Sequence, residues 1–214
     1  MTAKLHYIYD PLCGWCYGAE PLVWAASTVP SVGLELHAGA LWPEPTQLPE
    51  SSRLYILQAD QRIAAMSGQR FGPDYHDGLL LDPTMVLESR PPTAAVLAAQ
   101  SLDPKKALPM LKAIQHAHYE QGRRVVEHDV LCDLAEEIGL DRGAFEAALK
   151  RVPLEEHIRS TQELMAHVGA QGFPTFVLEL GDELHPVPHG RFASHPAQFR
   201  DWLETQAKGS ASAH

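Results

Sequence analysis

Residues 5–16 of this 214-residue chain read LHYIYDPLCGWC, and this stretch decides the fold. The run Leu5–Tyr9 is bulky and apolar apart from His6, which is the pattern of a buried strand. The Asp-Pro pair that follows stops the strand, and a helix is predicted from about Trp15 to Val29. The sequence therefore places a strand-to-helix junction at the residues CGWC.

The two cysteines at this junction, Cys13 and Cys16, are spaced C-x-x-C. Free amides at a helix N-terminus stabilise an anion, so a cysteine there is ionised more readily. The thiolate is the nucleophile of disulfide exchange, and a second cysteine one turn further can displace a mixed disulfide. The spacing predicts that Cys13 attacks and Cys16 resolves.

The other reading of a C-x-x-C pair is half of a zinc site, which needs two more ligands. The third cysteine, Cys132, is isolated, and His116 and His118 are two residues apart on different faces of a predicted helix. No metal is therefore predicted. Cys132 lies in an apolar helical stretch and is expected to be a buried, inert thiol.

Outward from the cysteines, the chain alternates between strands and helices and then becomes helical. The helix after Cys16 contains Pro21, which should kink it, and a second strand, parallel to the first, is predicted from Leu34 to about Trp42. Strand pattern returns at Thr175–Leu180, with a hairpin partner at Leu184–Gly190 whose prolines favour an edge position. The predicted division is a sheet-containing part over residues 1–43 and 172–207, a helical insertion over 44–171 and a mobile tail over 208–214.

A second motif, GFPTF at residues 172–176, lies between a predicted helix and a strand. A proline at such a position can follow a cis peptide bond, usually in a tight turn. In the thioredoxin fold a loop of this kind lies against the C-x-x-C pair. Pro174 is therefore the second predicted element of the site.

Taken together, these motifs resemble the DsbA-like thiol-disulfide oxidoreductases, and the DPLCGWC segment is similar to that of their FrnE-like branch. The resemblance covers about residues 4–207. It implies an α/β fold of the thioredoxin type interrupted by an all-helical insertion, with a reactive Cys13, a resolving Cys16 and a cis Pro174. One departure is Tyr7, which stands where thioredoxin and DsbA carry an acidic residue.

Four further residues are candidates for the site. Trp15 lies between the cysteines and either contacts substrate or packs on the insertion, and Phe173 and Thr175 flank Pro174 as candidate substrate contacts. Asp10 is either a proton shuttle for Cys16 or a turn residue before a proline.

Charge and hydropathy indicate which partners and which location the protein is expected to have. The formal net charge of −10 disfavours nucleic acid and anionic membranes as partners, and no apolar run approaches the ~20 residues of a membrane-spanning helix. No secretory signal is recognised at the start of the sequence, which predicts a cytoplasmic location. The expected partners are protein thiols and disulfides or glutathione-type small thiols, with no cofactor.

Two other functions compete with disulfide exchange. Kappa-class glutathione transferases and hydroxychromene carboxylate isomerases resemble the same fold, but they need one reactive residue and no resolving thiol. A non-enzymatic adaptor would need neither cysteine. The presence of both Cys13 and Cys16 favours a thiol-disulfide oxidoreductase.

Overall fold

The computed structural model describes residues 3–211, and its centre is a four-stranded sheet. The strands are β1 (Ala3–Tyr9), β2 (Val32–Ala38), β3 (Thr175–Leu180) and β4 (Glu183–Pro186), in the spatial order β2-β1-β3-β4. Strand β2 is parallel to β1, as predicted, while β3 is antiparallel to β1 and β4 to β3. The predicted edge position of the last strand is confirmed.

The described chain also contains eight α-helices, and six of them lie between β2 and β3. Asp141 accepts a hydrogen bond from the Ala144 amide at 2.8 Å and so caps the helix that begins at Arg142, as its sequence position predicts. The helices are α1 (Gly14–Ser27), α2 (Glu50–Ser67), α3 (Arg90–Leu102), α4 (Ala107–Tyr119), α5 (His128–Glu137), α6 (Arg142–Leu149), α7 (Leu154–Val168) and α8 (Pro196–Ala211).

Two strand ends differ from the sequence expectation. Strand β2 ends at Ala38 rather than near Trp42, because the amides of Leu41 and Trp42 are donated to the side chains of Asp10 and Ser89 instead of a neighbouring strand. The last strand ends at Pro186 rather than Gly190, since the chain then forms a 3-10 turn over His189–Phe192.

The prediction of a mobile tail over residues 208–214 is wrong for its first part. Helix α8 continues to Ala211, so Lys208 belongs to a helix. Residues 212–214 of that tail lie outside the part of the chain that the structure describes.

Helix α1 is the element through which the sheet and the helical block share one core. It contacts strands β1 and β2 and also helices α2, α4 and α8. Tyr17 of α1 stacks on Tyr119 of α4, with ring centroids 4.9 Å apart. Buried apolar residues of the sheet, such as Leu5, and of the insertion, such as Ile114, form one continuous cluster. The element that carries the cysteines is therefore held on several sides.

Pro21 leaves a gap in the hydrogen bonding of α1 that a distant side chain fills. A proline has no amide hydrogen, so the Tyr17 carbonyl one turn earlier loses its usual helical donor. The Gln69 side-chain amide donates to this carbonyl at 3.0 Å and also to the Glu20 carboxylate at 3.1 Å. Gln69, just after α2, therefore hydrogen-bonds to helix α1 at the position of the predicted kink.

Candidate active site

Cys13 lies at the N-cap of helix α1, as predicted. Its carbonyl oxygen accepts the amides of Cys16 and Tyr17 at 2.9 and 3.0 Å, which begins the helix. The first amides of a helix have no partner within it, so they concentrate positive potential beside the Cys13 sulfur. Cys13 is 6% exposed, whereas Cys16, one turn deeper, is fully buried. Both sulfurs are free thiols.

The second predicted motif lies against the reactive cysteine. The Phe173–Pro174 peptide bond is cis, and the Phe173 carbonyl oxygen accepts a hydrogen bond from the Cys13 thiol with a sulfur–oxygen distance of 3.7 Å. Thr175 holds the turn, because its hydroxyl donates to the Gly172 carbonyl at 2.8 Å. The structure thus brings Cys13, Cys16 and the Pro174 loop together.

Gly39, just after strand β2, makes room for the Phe173 ring. A Cβ atom built at Gly39 would lie 2.2 Å from the Phe173 ring, which is closer than any real contact. A larger residue at this position would have to push the ring aside. The position of the Pro174 loop therefore depends on a glycine that the sequence motifs do not include.

The Cys16 thiol is held in its protonated form. Burial raises its pKa well above the usual value, and a hydrogen bond to Cys13 and the negative charge of Cys13 raise the pKa further. Tyr7, at the position where the family carries an acid, donates its hydroxyl to the Cys16 carbonyl at 3.2 Å. Burial raises the pKa of Tyr7 as well, so this position brings no negative charge under the cysteines.

Asp10 is fully buried, and its carboxylate stabilises the turn after β1 by accepting hydrogen bonds from backbone amides. Its carboxylate accepts the amides of Leu12 at 2.8 Å and Leu41 at 2.7 Å. Burial raises the pKa of this carboxyl to about 6, although the hydrogen bonds that it accepts lower the pKa. A backbone hydrogen bond from Asp10 also reaches Cys16. The residue therefore acts in the turn and lies beside the buried thiol with a pKa suited to proton transfer.

A cavity of about 270 Å³ opens beside Cys13 and lies between α1 and the helical insertion. We call it the thiol cavity. Two of its polar atoms, Trp42 Nε1 and His118 Nδ1, are buried with no hydrogen-bond partner among the described residues. Its walls include Cys13, Trp15, Trp42, Asp60, Tyr75 and His118. The reactive cysteine and two residues with unpaired buried polar atoms therefore line the same cavity.

Asp60 of α2 is a titratable residue of the thiol cavity that lies outside the sequence motifs. Tyr75 donates its hydroxyl to Asp60 Oδ2 at 3.1 Å, and Asp60 Oδ1 lies 3.0 Å from the Cβ position of Gly14. Burial raises the pKa of this carboxyl to about 7, against a smaller lowering by Tyr75. One indication was present in the sequence: Asp60 interrupts an apolar helical stripe formed by Ile56 and Ile63.

Trp15 projects from the C-x-x-C turn and is 41% exposed. It lines the thiol cavity and also a second cavity of about 250 Å³ on the side of Phe173 and Pro174. Trp15 therefore borders two concave surfaces, one lined by Cys13 and the other by Pro174. An exposed aromatic ring in that place suits contact with a substrate.

Cys132 takes no part in this arrangement. It is buried in α5, where its sulfur lies 3.5 Å from His128 Nε2 and 3.8 Å from Glu146 Oε1. Burial raises its pKa, so it remains a thiol. The expected burial of Cys132 is confirmed, and its lack of reactivity stays a prediction.

A dithiol at the start of a helix, faced by a proline loop at the end of a thioredoxin-type sheet, defines a thiol-disulfide oxidoreductase. The chain belongs to the DsbA-like thioredoxin domain family, whose sequence profile matches residues 4–199. Its redox pair is Cys13 and Cys16.

Solved structures agree with this assignment. The cytosolic disulfide reductase DsbM from Pseudomonas aeruginosa is 46% identical, with a TM-score of 0.87 over 96% of this chain and 98% of that chain. A second structure of DsbM, with GSH, is 45% identical, with a TM-score of 0.86 over 96% of this chain and 99% of that one. A putative protein disulfide isomerase from Nitrosomonas europaea, 24% identical, shares the fold with a TM-score of 0.81 over 96% and 99% of the two chains. No curated protein sequence matches the chain.

Proposed function

We propose that this protein is a cytoplasmic disulfide reductase that transfers electrons from a glutathione-type thiol to disulfide substrates. The observation that carries the proposal is the position of Cys13, which lies at a helix N-terminus and borders a cavity with unpaired polar groups. The similarity to DsbM, a cytosolic disulfide reductase solved with GSH, supports both the location and the electron donor. Among the described residues, none of the helices is long and apolar enough to cross a membrane.

The first step forms a mixed disulfide. The Cys13 thiolate attacks one sulfur of the substrate disulfide, a new S–S bond forms, and the second substrate sulfur leaves as a thiolate. Asp60 lines the same cavity as Cys13 and has a pKa of about 7. Near neutral pH it can therefore give a proton to the leaving sulfur. The substrate lies beside the Cys13 sulfur, against the backbone of Phe173, Pro174 and Thr175. The Trp15 ring covers the substrate.

The second step releases the substrate. Cys16 loses its proton and attacks the Cys13 sulfur, which leaves a Cys13–Cys16 disulfide and a fully reduced substrate. Asp10 is the proton acceptor for Cys16, because the charge of its carboxylate acts on Cys16 and burial raises its pKa to about 6. Two glutathione-type thiols then reduce the Cys13–Cys16 disulfide and become a disulfide themselves, so two electrons pass through the pair per turnover.

The decisive experiment measures insulin reduction with reduced glutathione as the electron donor, with consumption of the donor followed by glutathione reductase and NADPH. We expect Cys13→Ser to abolish turnover and Cys16→Ser to accumulate a mixed disulfide that mass mapping places on Cys13. Cys132→Ser is the matched control, because that thiol is buried on α5, and it should retain full turnover.

The same preparations separate the competing functions. Conjugation of glutathione to an aromatic electrophile at a rate that survives Cys16→Ser would identify a transferase. Insulin reduction that survives Cys13→Ser would contradict the assignment of the nucleophile. Absence of insulin reduction by the wild-type protein with any thiol donor would contradict the reductase proposal.

A further inference from the structure

A cluster of histidines and carboxylates lies on the sheet, on strands β1 and β2. His6 Nδ1 and His37 Nε2 are 2.9 Å apart, although 31 residues separate them in the chain. Glu35 pairs with His6 across the two parallel strands, and its Oε2 lies 3.9 Å from His6 Nδ1. One ligand atom from each of these three residues falls within 4.8 Å of the other two. Two imidazoles and a carboxylate thus converge on one point.

A fourth residue orients the central imidazole. His6 Nε2 lies 2.8 Å from Glu179 Oε2 of strand β3, and a carboxylate can only accept, so His6 donates from Nε2. The opposite nitrogen, Nδ1, is then free to accept or to ligate when the ring is neutral. Histidines that bind metals nearly always donate their other ring nitrogen to a carboxylate or a carbonyl in this way. Glu179 therefore fixes His6 in the form that a metal requires.

The charges around the cluster favour a cation. The carboxylates of Glu35 and Glu179 are both close to Lys4, at 3.3 and 3.9 Å, so one ammonium offsets two carboxylates. His157 of α7, the remaining titratable neighbour, already accepts the Ala38 amide through Nε2 at 3.0 Å.

The cluster is accessible from outside. Glu35 and His37 line a cavity of about 710 Å³ between β2, α3, α4 and α7. Water can therefore reach Glu35 and His37, two of the three residues of the cluster. An ion entering by this route would first meet a nitrogen and a carboxylate, with room for solvent ligands.

We propose that His6 Nδ1, His37 Nε2 and the Glu35 carboxylate bind a divalent first-row transition metal of the Zn²⁺ type, with Glu179 as the partner of His6 Nε2. Imidazole nitrogens with a carboxylate are a donor set that Zn²⁺ takes, at Zn–N distances of about 2.0–2.1 Å. Tetrahedral geometry at that length separates the two nitrogens by about 3.3 Å, so the rings need to open by only a few tenths of an ångström.

Binding needs no redox step and no net loss of a proton. When both rings are neutral, His37 donates its Nε2 hydrogen to His6 Nδ1, because His6 donates from Nε2 to Glu179. The metal takes the place of that hydrogen, and His37 moves its proton to Nδ1. Solvent molecules from the cavity fill the remaining coordination positions.

The test is a calorimetric titration with Zn²⁺ on protein whose competing sulfurs have been removed as ligands. The Cys13–Cys16 pair is first oxidised to its disulfide, and Cys132→Ser removes the sulfur that lies beside His128 and Glu146. We expect one Zn²⁺ per chain at this site and a change of the His37 tautomer in long-range ¹H–¹⁵N NMR spectra. Co²⁺ in place of Zn²⁺ should show no sulfur-to-metal charge transfer.

Three variants decide the outcome. His37→Ala should weaken Zn²⁺ binding more than about 100-fold, and Glu179→Gln, which keeps the shape of the side chain, about 10- to 100-fold. His167→Ala, at an exposed histidine of α7, is the control and should leave binding unchanged. Failure of the oxidised protein to bind Zn²⁺ at micromolar concentration would overturn the proposal, as would binding that survives both His37→Ala and Glu179→Gln.

Discussion

The sulfur of Cys13 lies 3.7 Å from the carbonyl oxygen of Phe173, a residue 160 positions later in the chain. The contact joins the turn after β1 to the turn before β3, and the antiparallel pairing of these strands, with Ile8 opposite Thr175, brings the two turns to the same end of the sheet. The reactive sulfur therefore depends on a loop that belongs to the far end of the sequence. Changes that move this loop should alter activity even when both cysteines are intact.

Gly39→Ala is such a change. The new methyl group would overlap the Phe173 ring, so the ring and the loop must shift, at a cost of about 1–3 kcal/mol in the free energy of unfolding. We expect a lower melting temperature together with slower insulin reduction. Gly33→Ala, on the strand that precedes Gly39, is the control, because a Cβ there meets its nearest atom at 3.7 Å. Equal effects of the two substitutions would show that Phe173 is not held by Gly39.

Trp15→Ala tests the contact with substrate. Its exposed ring borders the thiol cavity and the cavity at Pro174. An aromatic contact contributes about 0.5–1.5 kcal/mol, so KM for a protein disulfide should rise about 2- to 10-fold with little change in kcat. Trp24 lies on the same helix and is 43% exposed against 41% for Trp15, which makes Trp24→Ala a matched control. Steady-state kinetics of the two variants should differ. An unchanged KM in Trp15→Ala would assign the ring to packing alone.

Asp60→Asn should stabilise the protein at higher pH. Burial raises the pKa of Asp60 from 3.8 in the unfolded chain to about 7, so the folded state keeps a proton that the unfolded state has lost. The contribution of Asp60 to stability is thus fully present below about pH 4 and is lost as pH rises through about 7. Asparagine does not titrate, so the advantage of the variant should grow over this window, to roughly 2–4 kcal/mol.

Denaturant unfolding at several pH values measures this difference. Asp182→Asn, at an exposed turn, is the control and should show no such trend between pH 4 and pH 8. If the stability difference between Asp60→Asn and the wild type were constant over that range, Asp60 would have to be ionised in the folded protein throughout.

Gln69→Leu should destabilise the chain through helix α1. It leaves the Tyr17 carbonyl without the side-chain donor that compensates for Pro21, and an unpaired buried acceptor costs about 1–3 kcal/mol. We expect a lower free energy of unfolding in urea, with the m-value preserved. Gln47→Leu, in an exposed loop, is the comparison and should change stability by less than about 0.5 kcal/mol. Similar losses in both variants would remove the special role of Gln69.

Much of the fold follows from local patterns in the sequence. The apolar run before the Asp-Pro pair forms β1, the C-x-x-C residues begin α1, and Asp141 caps α6. The placement of the two thiols also follows from a local pattern. The spacing of Cys13 and Cys16 puts one thiol at a helix end and the other one turn inside the helix. Such features depend on backbone geometry within a few residues, which a sequence displays directly.

Three other features do not follow from local patterns in the sequence. They are the end of β2, the raised pKa of Asp60 and the contact between His6 and His37. Strand β2 stops where the side chains of Asp10 and Ser89 take its amides, and Asp60 titrates near neutrality because the fold buries it. His6 meets His37 because β1 and β2 pair in one particular register. The sequence by itself determined the dithiol, its helix and the proline loop, whereas only the tertiary structure decided which polar groups surround them. Burial and hydrogen bonding between distant residues arise when elements pack together, and no local pattern records them.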